Sequence, residues 1–147
     1  MKVIFLDFDG VLNSNKYFIN STENQPFFLE DEKMELLKNI IKETNAKIVL
    51  STSWREIWGI DLEISKKLKE YFDSYNIDIF DVTPCINYNR VDEINFWIKQ
   101  HKIRSFVILD DITGPWYNLE SNVIVTNIDF QGLTEEHVKK AINILNK

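Results

Sequence analysis

Two pairs of carboxylates and one run of hydroxyls stand where this chain could do chemistry. Asp7 and Asp9 flank a single residue at the end of the apolar run Val3-Ile4-Phe5-Leu6, and Gly10 then allows a sharp turn. Ser105-Phe106-Val107-Ile108-Leu109 delivers Asp110 and Asp111 in the same way, and Lys47-Ile48-Val49-Leu50 runs into Ser51-Thr52-Ser53. Carboxyl groups can pass protons or hold a hard cation, while hydroxyls can bind an oxyanion. Arg90 belongs with them: a cation in a first helical turn opposes the helix dipole unless an anion faces it. The bland alternatives are solvated turns for the acids and a surface arginine balanced by Asp92 and Glu93.

The elements that must position these groups follow from periodicity. Met34, Leu37, Ile40 and Ile41 recur at helical spacing from Asp31 to Thr44, and Asn45-Ala46 breaks the helix. A second helix carries Ile64, Leu68, Tyr71, Phe72 and Tyr75, with Asp61 as its expected cap. Ile77 to Val82 reads as a weaker strand. Asn89 caps a third helix with Val91, Ile94 and Ile98 inward and Trp97 at the shoulder, and Asn122 to Thr126 is a fifth strand. Thr134 caps a last helix whose inner face is Val138, Ala141, Ile142 and Leu145. Strands alternating with helices predict a doubly wound α/β fold, a five-stranded parallel sheet with helices on both faces. Its ligands belong at the carboxyl ends of the strands, so Asp7, Asp9, Thr52, Ser53, Arg90, Asp110 and Asp111 should converge.

Composition bounds the setting. A chain of 147 residues, 44% hydrophobic, suits one domain spanning 1–147. The net charge of −6 supplies no broad attraction for nucleic acid or an anionic membrane. Cys85, the single cysteine, excludes an intrachain disulfide and is expected to be buried and inert, and the scarcity of His and Cys argues against zinc. Without an apolar stretch of membrane-span length or a leader-like start, the expectation is a cytoplasmic protein with no membrane partner.

Asp7-Phe8-Asp9-Gly10-Val11-Leu12 resembles the DxDGV/T signature of the haloacid dehalogenase (HAD) superfamily. Ile48 through Thr52 looks like that family's hydroxyl motif, Arg90 like its basic motif and Asp110-Asp111 like its closing acidic motif. Ser51-Thr52-Ser53-Trp54-Arg55, Arg90 through Glu93-Ile94 to Trp97, and Gly132-Leu133-Thr134 further resemble the phosphatase domain of Swiss-army-knife RNA-repair proteins. The resemblance implies strand order 3-2-1-4-5 and a phosphomonoesterase working through an aspartyl-phosphate. Asp7 would be the nucleophile and Asp9 the acid and then the base. Mg²⁺ would be held by Asp7, the Asp9 carbonyl, Asp110 and Asp111, the last directly or through water. Thr52 would bind a phosphoryl oxygen with Ser53 and Arg90 nearby, although Ser51 or Ser53 could take the place of Thr52.

Trp54, Arg55 and Trp116 are candidate substrate contacts; Trp54 and Trp116 could stack a base, and His101 and His137 lie at no ligand spacing. Superfamily members that act on small molecules commonly carry a cap domain after the first or third strand. Here Ser14 to Phe28 is loop-like and Pro84 to Asn89 is short, so no substantial cap fits and the site should be open. An open site suits a phosphate on a polymer, and the expected substrate is the terminal, 3′-phosphate of an RNA or DNA end. The alternatives are a small-molecule or nucleotide phosphatase, a phosphotransferase, and a non-enzymatic phospho-accepting module.

Overall fold

The apolar runs do become the sheet. The structure, a computed structural model, describes residues 1–15 and 28–147. Its elements are β1 (Lys2–Leu6), α1 (Asp31–Thr44), β2 (Lys47–Leu50), α2 (Glu63–Ser74), β3 (Ile79–Val82), α3 (Arg90–Lys99), β4 (Ser105–Asp110), β5 (Val123–Val125) and α4 (Glu135–Leu145). Short 3₁₀ turns cover Ser53–Ile57 and Tyr117–Asn122. All five strands pair in parallel in the order β3-β2-β1-β4-β5, as expected.

Side chains alternate across a strand, and the unbroken apolar runs feed two cores. Ile4 and Leu6 of β1, Ile48 and Leu50 of β2, and Val107 and Leu109 of β4 face Met34, Leu37 and Ile40 of α1, Leu68 and Phe72 of α2, and Val138, Ala141 and Leu145 of α4. Val3, Phe5, Val49 and Ile108 face the other way, onto Ile94, Trp97, Trp116 and Leu119. Helices therefore cover both faces of the sheet. This makes β1 a central strand, buried from Val3 to Leu6, that leads at its carboxyl end into the acids.

Local details depart from expectation in four places. Helix α2 starts at Glu63 behind Leu62, which caps nothing with its side chain; Asp61 instead pairs with Lys66 at 2.9 Å. The helix starts later than expected because the chain is still extended at Leu62, its N-cap, with φ −125° and ψ 149°. Trp97 is no shoulder residue: it is 3% exposed and meets Phe5 edge-on at 5.4 Å, while Val91 and Ile98 are only half-buried. Cys85 is exposed, because it follows Pro84 out of the sheet rather than into the core. Strand β3 begins at Ile79, two residues after Ile77.

The expected caps of the other helices hold. Asn89 Oδ1 accepts from the Asp92 amide at 3.1 Å. Thr134 Oγ1 accepts from the His137 amide, and His137 Nδ1 accepts from the Thr134 amide at 3.1 Å, so this histidine closes a capping box. His101 stacks on Trp97 with ring centroids 3.6 Å apart. Residues 7–30 separate β1 from α1 and residues 83–89 separate β3 from α3, and neither interval is long enough for a folded cap domain. Most of the stretch from Ser14 to Phe28 lies outside the described residues. No helix among the described residues is long and apolar enough to cross a membrane.

Candidate active site

Adjacent parallel strands deliver the two key carboxylates side by side. Leu6 pairs with Leu109, and the Asp7 amide continues the ladder by donating to the Leu109 carbonyl at 3.0 Å. Asp7 and Asp110 thus leave neighbouring strands one residue past this pairing. Asp7 is 7% exposed and Asp110 fully buried. With Asp111 they bring three carboxylate oxygens within 4.8 Å of one another.

Crowding these acids away from water has an electrostatic cost. Burial, and then the Asp110 charge, push Asp7 up to about 7 against the pull of Arg90 and a hydrogen bond from Thr52. Burial likewise raises Asp110 to about 6, opposed by Arg90 and the Ile112 amide. The Arg90 guanidinium is the counter-charge the protein provides: Nη1 donates to Asp110 Oδ2 and lies 3.7 Å from Asp7 Oδ2. It does not neutralise both acids and Asp111 together. An all-oxygen set of three carboxylates with unbalanced negative charge is what a hard divalent cation such as Mg²⁺ prefers, and Asp7, Asp110 and Asp111 are the residues that fit it.

Asp9 stands apart from that cluster. Asn13 Nδ2 donates to Asp9 Oδ1 at 3.0 Å, and Trp54 Nε1 donates to Asp9 Oδ2 at 2.9 Å. Its carboxylate is held from both sides, and the residue is half-buried. Asn13 is fully buried, accepts from the Gly10 amide at 2.8 Å and also donates to the Phe28 carbonyl, so one amide side chain folds the whole turn after β1. Sequence reasoning passed over Asn13. The signal was an amide four residues past Asp9, able to serve donor and acceptor at once.

The turn is also clamped from below. Gly10 takes φ +82°, and a Cβ there would lie 2.5 Å from Asp111 Oδ2, so glycine lets Asp111 approach. Thr126 Oγ1 donates to the Gly10 carbonyl at 2.6 Å, and the Leu133 amide to the Val11 carbonyl at 2.9 Å. Gly132, at φ +64°, packs so close that a Cβ would sit 2.8 Å from the Asn13 carbonyl oxygen. That contact gives Gly132-Leu133-Thr134 a physical role.

The hydroxyl run resolves by burial. Thr52 is fully buried, donates to Asp7 and accepts from the Trp54 amide, whereas Ser53 is exposed. Ser51 Oγ is buried without a hydrogen-bond partner among the described residues. Thr52 is therefore the hydroxyl that meets Asp7.

The aromatic and basic neighbours are built into the frame. Trp54 stacks on Phe28 at 4.4 Å, so one ring face is covered and its N–H is engaged by Asp9. Arg55, expected as a substrate contact, is 7% exposed and forms an ion pair with Glu93 at 2.8 Å; Glu93 Oε2 also accepts from the Ile86 amide. It ties the turn after β2 to the helix that begins with Arg90. Trp116, expected as a stacking platform, is 1% exposed and donates its Nε1–H to the Ile112 carbonyl. A ring so enclosed has no face to offer a base.

Against known proteins, the family described as the HAD domain in Swiss Army Knife RNA repair proteins matches residues 3–138. No curated protein and no solved structure matches the chain. With the motifs gathered at the carboxyl ends of the interior strands and the match covering most of its length, the chain belongs to the HAD domain family of Swiss Army Knife RNA repair proteins.

Proposed function

We propose that this protein is a Mg²⁺-dependent phosphomonoesterase that transfers a phosphoryl group to Asp7 and then to water, acting on phosphorylated polynucleotide ends. The observation that supports it most is the environment of Asp7: one carboxylate touched by a hydroxyl, faced by a guanidinium and crowded by two further acids. A bound Mg²⁺ would neutralise Asp7, Asp110 and Asp111 and polarise the phosphoryl group.

This chain's own residues account for the remaining work. A carboxylate oxygen of Asp7 attacks phosphorus, forming a carbon–oxygen–phosphorus (acyl phosphate) linkage while the bond to the ester oxygen breaks and that oxygen leaves with its electron pair. Asp9, half-buried and held by Asn13 and Trp54, gives that oxygen a proton and later takes one from the attacking water. Thr52 and the free N–H groups of Arg90 hold the phosphoryl oxygens. The intervals between β1 and α1 and between β3 and α3 are too short for a folded cap domain, which favours a polymer terminus over an enclosed small molecule. The family's setting in RNA repair favours a polynucleotide end as substrate, and the reading assigns its 3′-phosphate.

The test is phosphate release under multiple turnover from 3′-phosphorylated and 5′-phosphorylated oligonucleotides, mononucleotides and a phosphopeptide, with and without Mg²⁺. Preferential Mg²⁺-dependent release from the 3′-phosphorylated oligonucleotide supports the reading. Higher kcat/KM on mononucleotides, or a single turnover that stops at phosphorylated protein, rejects it.

A further inference from the structure

Arg90 forms a wall shared by two spaces. On one side it meets Asp110 and approaches Asp7 to 3.7 Å. On the other it lines a pocket of about 230 Å³ between the start of α3 and the loop after β4, together with Tyr88, Asn89, Ile112, Pro115 and Trp116. One side chain, Arg90, thus touches both the acids and this pocket.

The lining says what group the pocket suits. Trp116 closes the pocket at 1% exposure, while Ile112 and Tyr88 are 42% and 82% exposed at its rim. Tyr88 is held out by a left-handed backbone, φ +54°, following Asn87 at φ +52°. Such a conformation is costly for a bulky residue. Among the described residues, Arg90 is the pocket's one charged side chain, in a protein whose net charge is −6. Asn89 uses Oδ1 to cap α3, which leaves its amide N–H groups to donate. Aromatic and apolar surfaces with a cation and an amide donor match a flat, uncharged heterocycle rich in acceptors and joined to a phosphate.

We propose that this pocket receives the terminal nucleoside of a phosphorylated polynucleotide end, the base packing against Tyr88 and Ile112. The proposal rests on the phosphatase reading of the Asp7 site and adds where the body of the substrate lies. It assigns base stacking to Tyr88, in place of the engaged Trp54 and the enclosed Trp116.

The experiment compares wild type, Tyr88→Ala and Tyr88→Phe on two 3′-phosphorylated oligonucleotides, one with a normal terminal nucleoside and one with an abasic terminal residue. Binding of both oligonucleotides is measured in parallel, by fluorescence anisotropy, with Asp7→Asn added to each protein. The kcat/KM ratio of normal to abasic end should fall about 10-fold in Tyr88→Ala and persist in Tyr88→Phe, with the binding ratio following it. A wild type indifferent to the base, or ratios equal in wild type and Tyr88→Ala, overturns the proposal, as does better turnover of a phosphopeptide than of either oligonucleotide. If no ester is turned over but the Tyr88-dependent binding preference is present, the pocket assignment stands and the phosphatase reading falls.

Discussion

Trp54 donates its indole N–H to Asp9 Oδ2 at 2.9 Å, across the space between the turn after β1 and the turn after β2. Trp54→Phe keeps an aromatic ring on Phe28, though a smaller one, and removes the donor. If the bond sets the aim of the acid, the variant should lose about 10-fold in kcat on esters with poor leaving groups and much less on p-nitrophenyl phosphate, whose leaving group needs little protonation. Equal losses along a leaving-group series would assign Trp54 to packing alone.

Asp7→Asn should abolish turnover of every phosphate ester while leaving the fold intact, since the amide preserves shape but is a poor nucleophile. Chelation of divalent cations should do the same to wild type, reversibly on adding Mg²⁺. Circular dichroism separates loss of chemistry from loss of structure. Full activity in EDTA would sink the metal-dependent mechanism.

The raised acids predict a pH dependence of stability in the metal-free protein. Asp7 and Asp110 ionise near 7 and 6 in the folded chain, against an ordinary value of 3.8. Between about pH 4 and 7 the folded state therefore binds more protons than the unfolded state, and the contribution of this pair to stability falls as pH rises, levelling off above 7. Asp7→Asn should accordingly gain Tm relative to wild type on going from pH 4 to pH 8. Added Mg²⁺ should raise the wild-type Tm more at pH 8 than at pH 5, because it competes with those protons. Parallel Tm curves for wild type and variant would contradict the assignment.

Arg55 and Glu93 make a buried pair, so removing one partner strands a charge. Arg55→Met should destabilise the fold by about 3–5 kcal/mol, read from chemical denaturation, and lower activity as well, since the pair joins the Thr52 turn to the helix carrying Arg90. Replacing both partners, Arg55→Met with Glu93→Leu, should recover part of the stability without restoring activity. Recovery of both would make the pair purely a packing element.

Gly132→Ala should disturb the site from a distance. Its Cβ would press on the Asn13 and Val11 carbonyl oxygens, which are backbone and cannot swing away. The variant should lose Tm and, through Asn13 and Asp9, kcat. An unchanged kcat at a lowered Tm would show that the clamp serves stability alone.

The strands and the acids at their ends were legible because each apolar run is long, β-favouring and stops at Asp or a hydroxyl. Asn89 and Thr134 announced themselves as caps by local chemistry. What escaped was tertiary: nothing in the spacing of Trp54, Arg55 and Trp116 says whether an aromatic or basic side chain turns to substrate or to a partner 38 or 45 residues away, as Arg55 does to Glu93 and Trp54 to Asp9. Asn13 was hidden for the opposite reason. Its four-residue separation from Asp9 is local, but its double role shows only once the turn is closed.

The pairing of β1 with β4 has one more consequence. Asp7 and Asp110 take their separation from the spacing of adjacent strands, about 4.8 Å, a dimension set by backbone hydrogen bonds and indifferent to side-chain identity. Asp9, Trp54, Arg90 and Tyr88 ride instead on turns and helix starts. The molecule thus divides into a charge anvil set by the backbone and a rim around it, and a substitution at Tyr88, unlike one at Arg90, which contacts both acids, can redirect which ester is presented without retuning the anvil. Divergence of substrate within such a scaffold requires no change in the sheet.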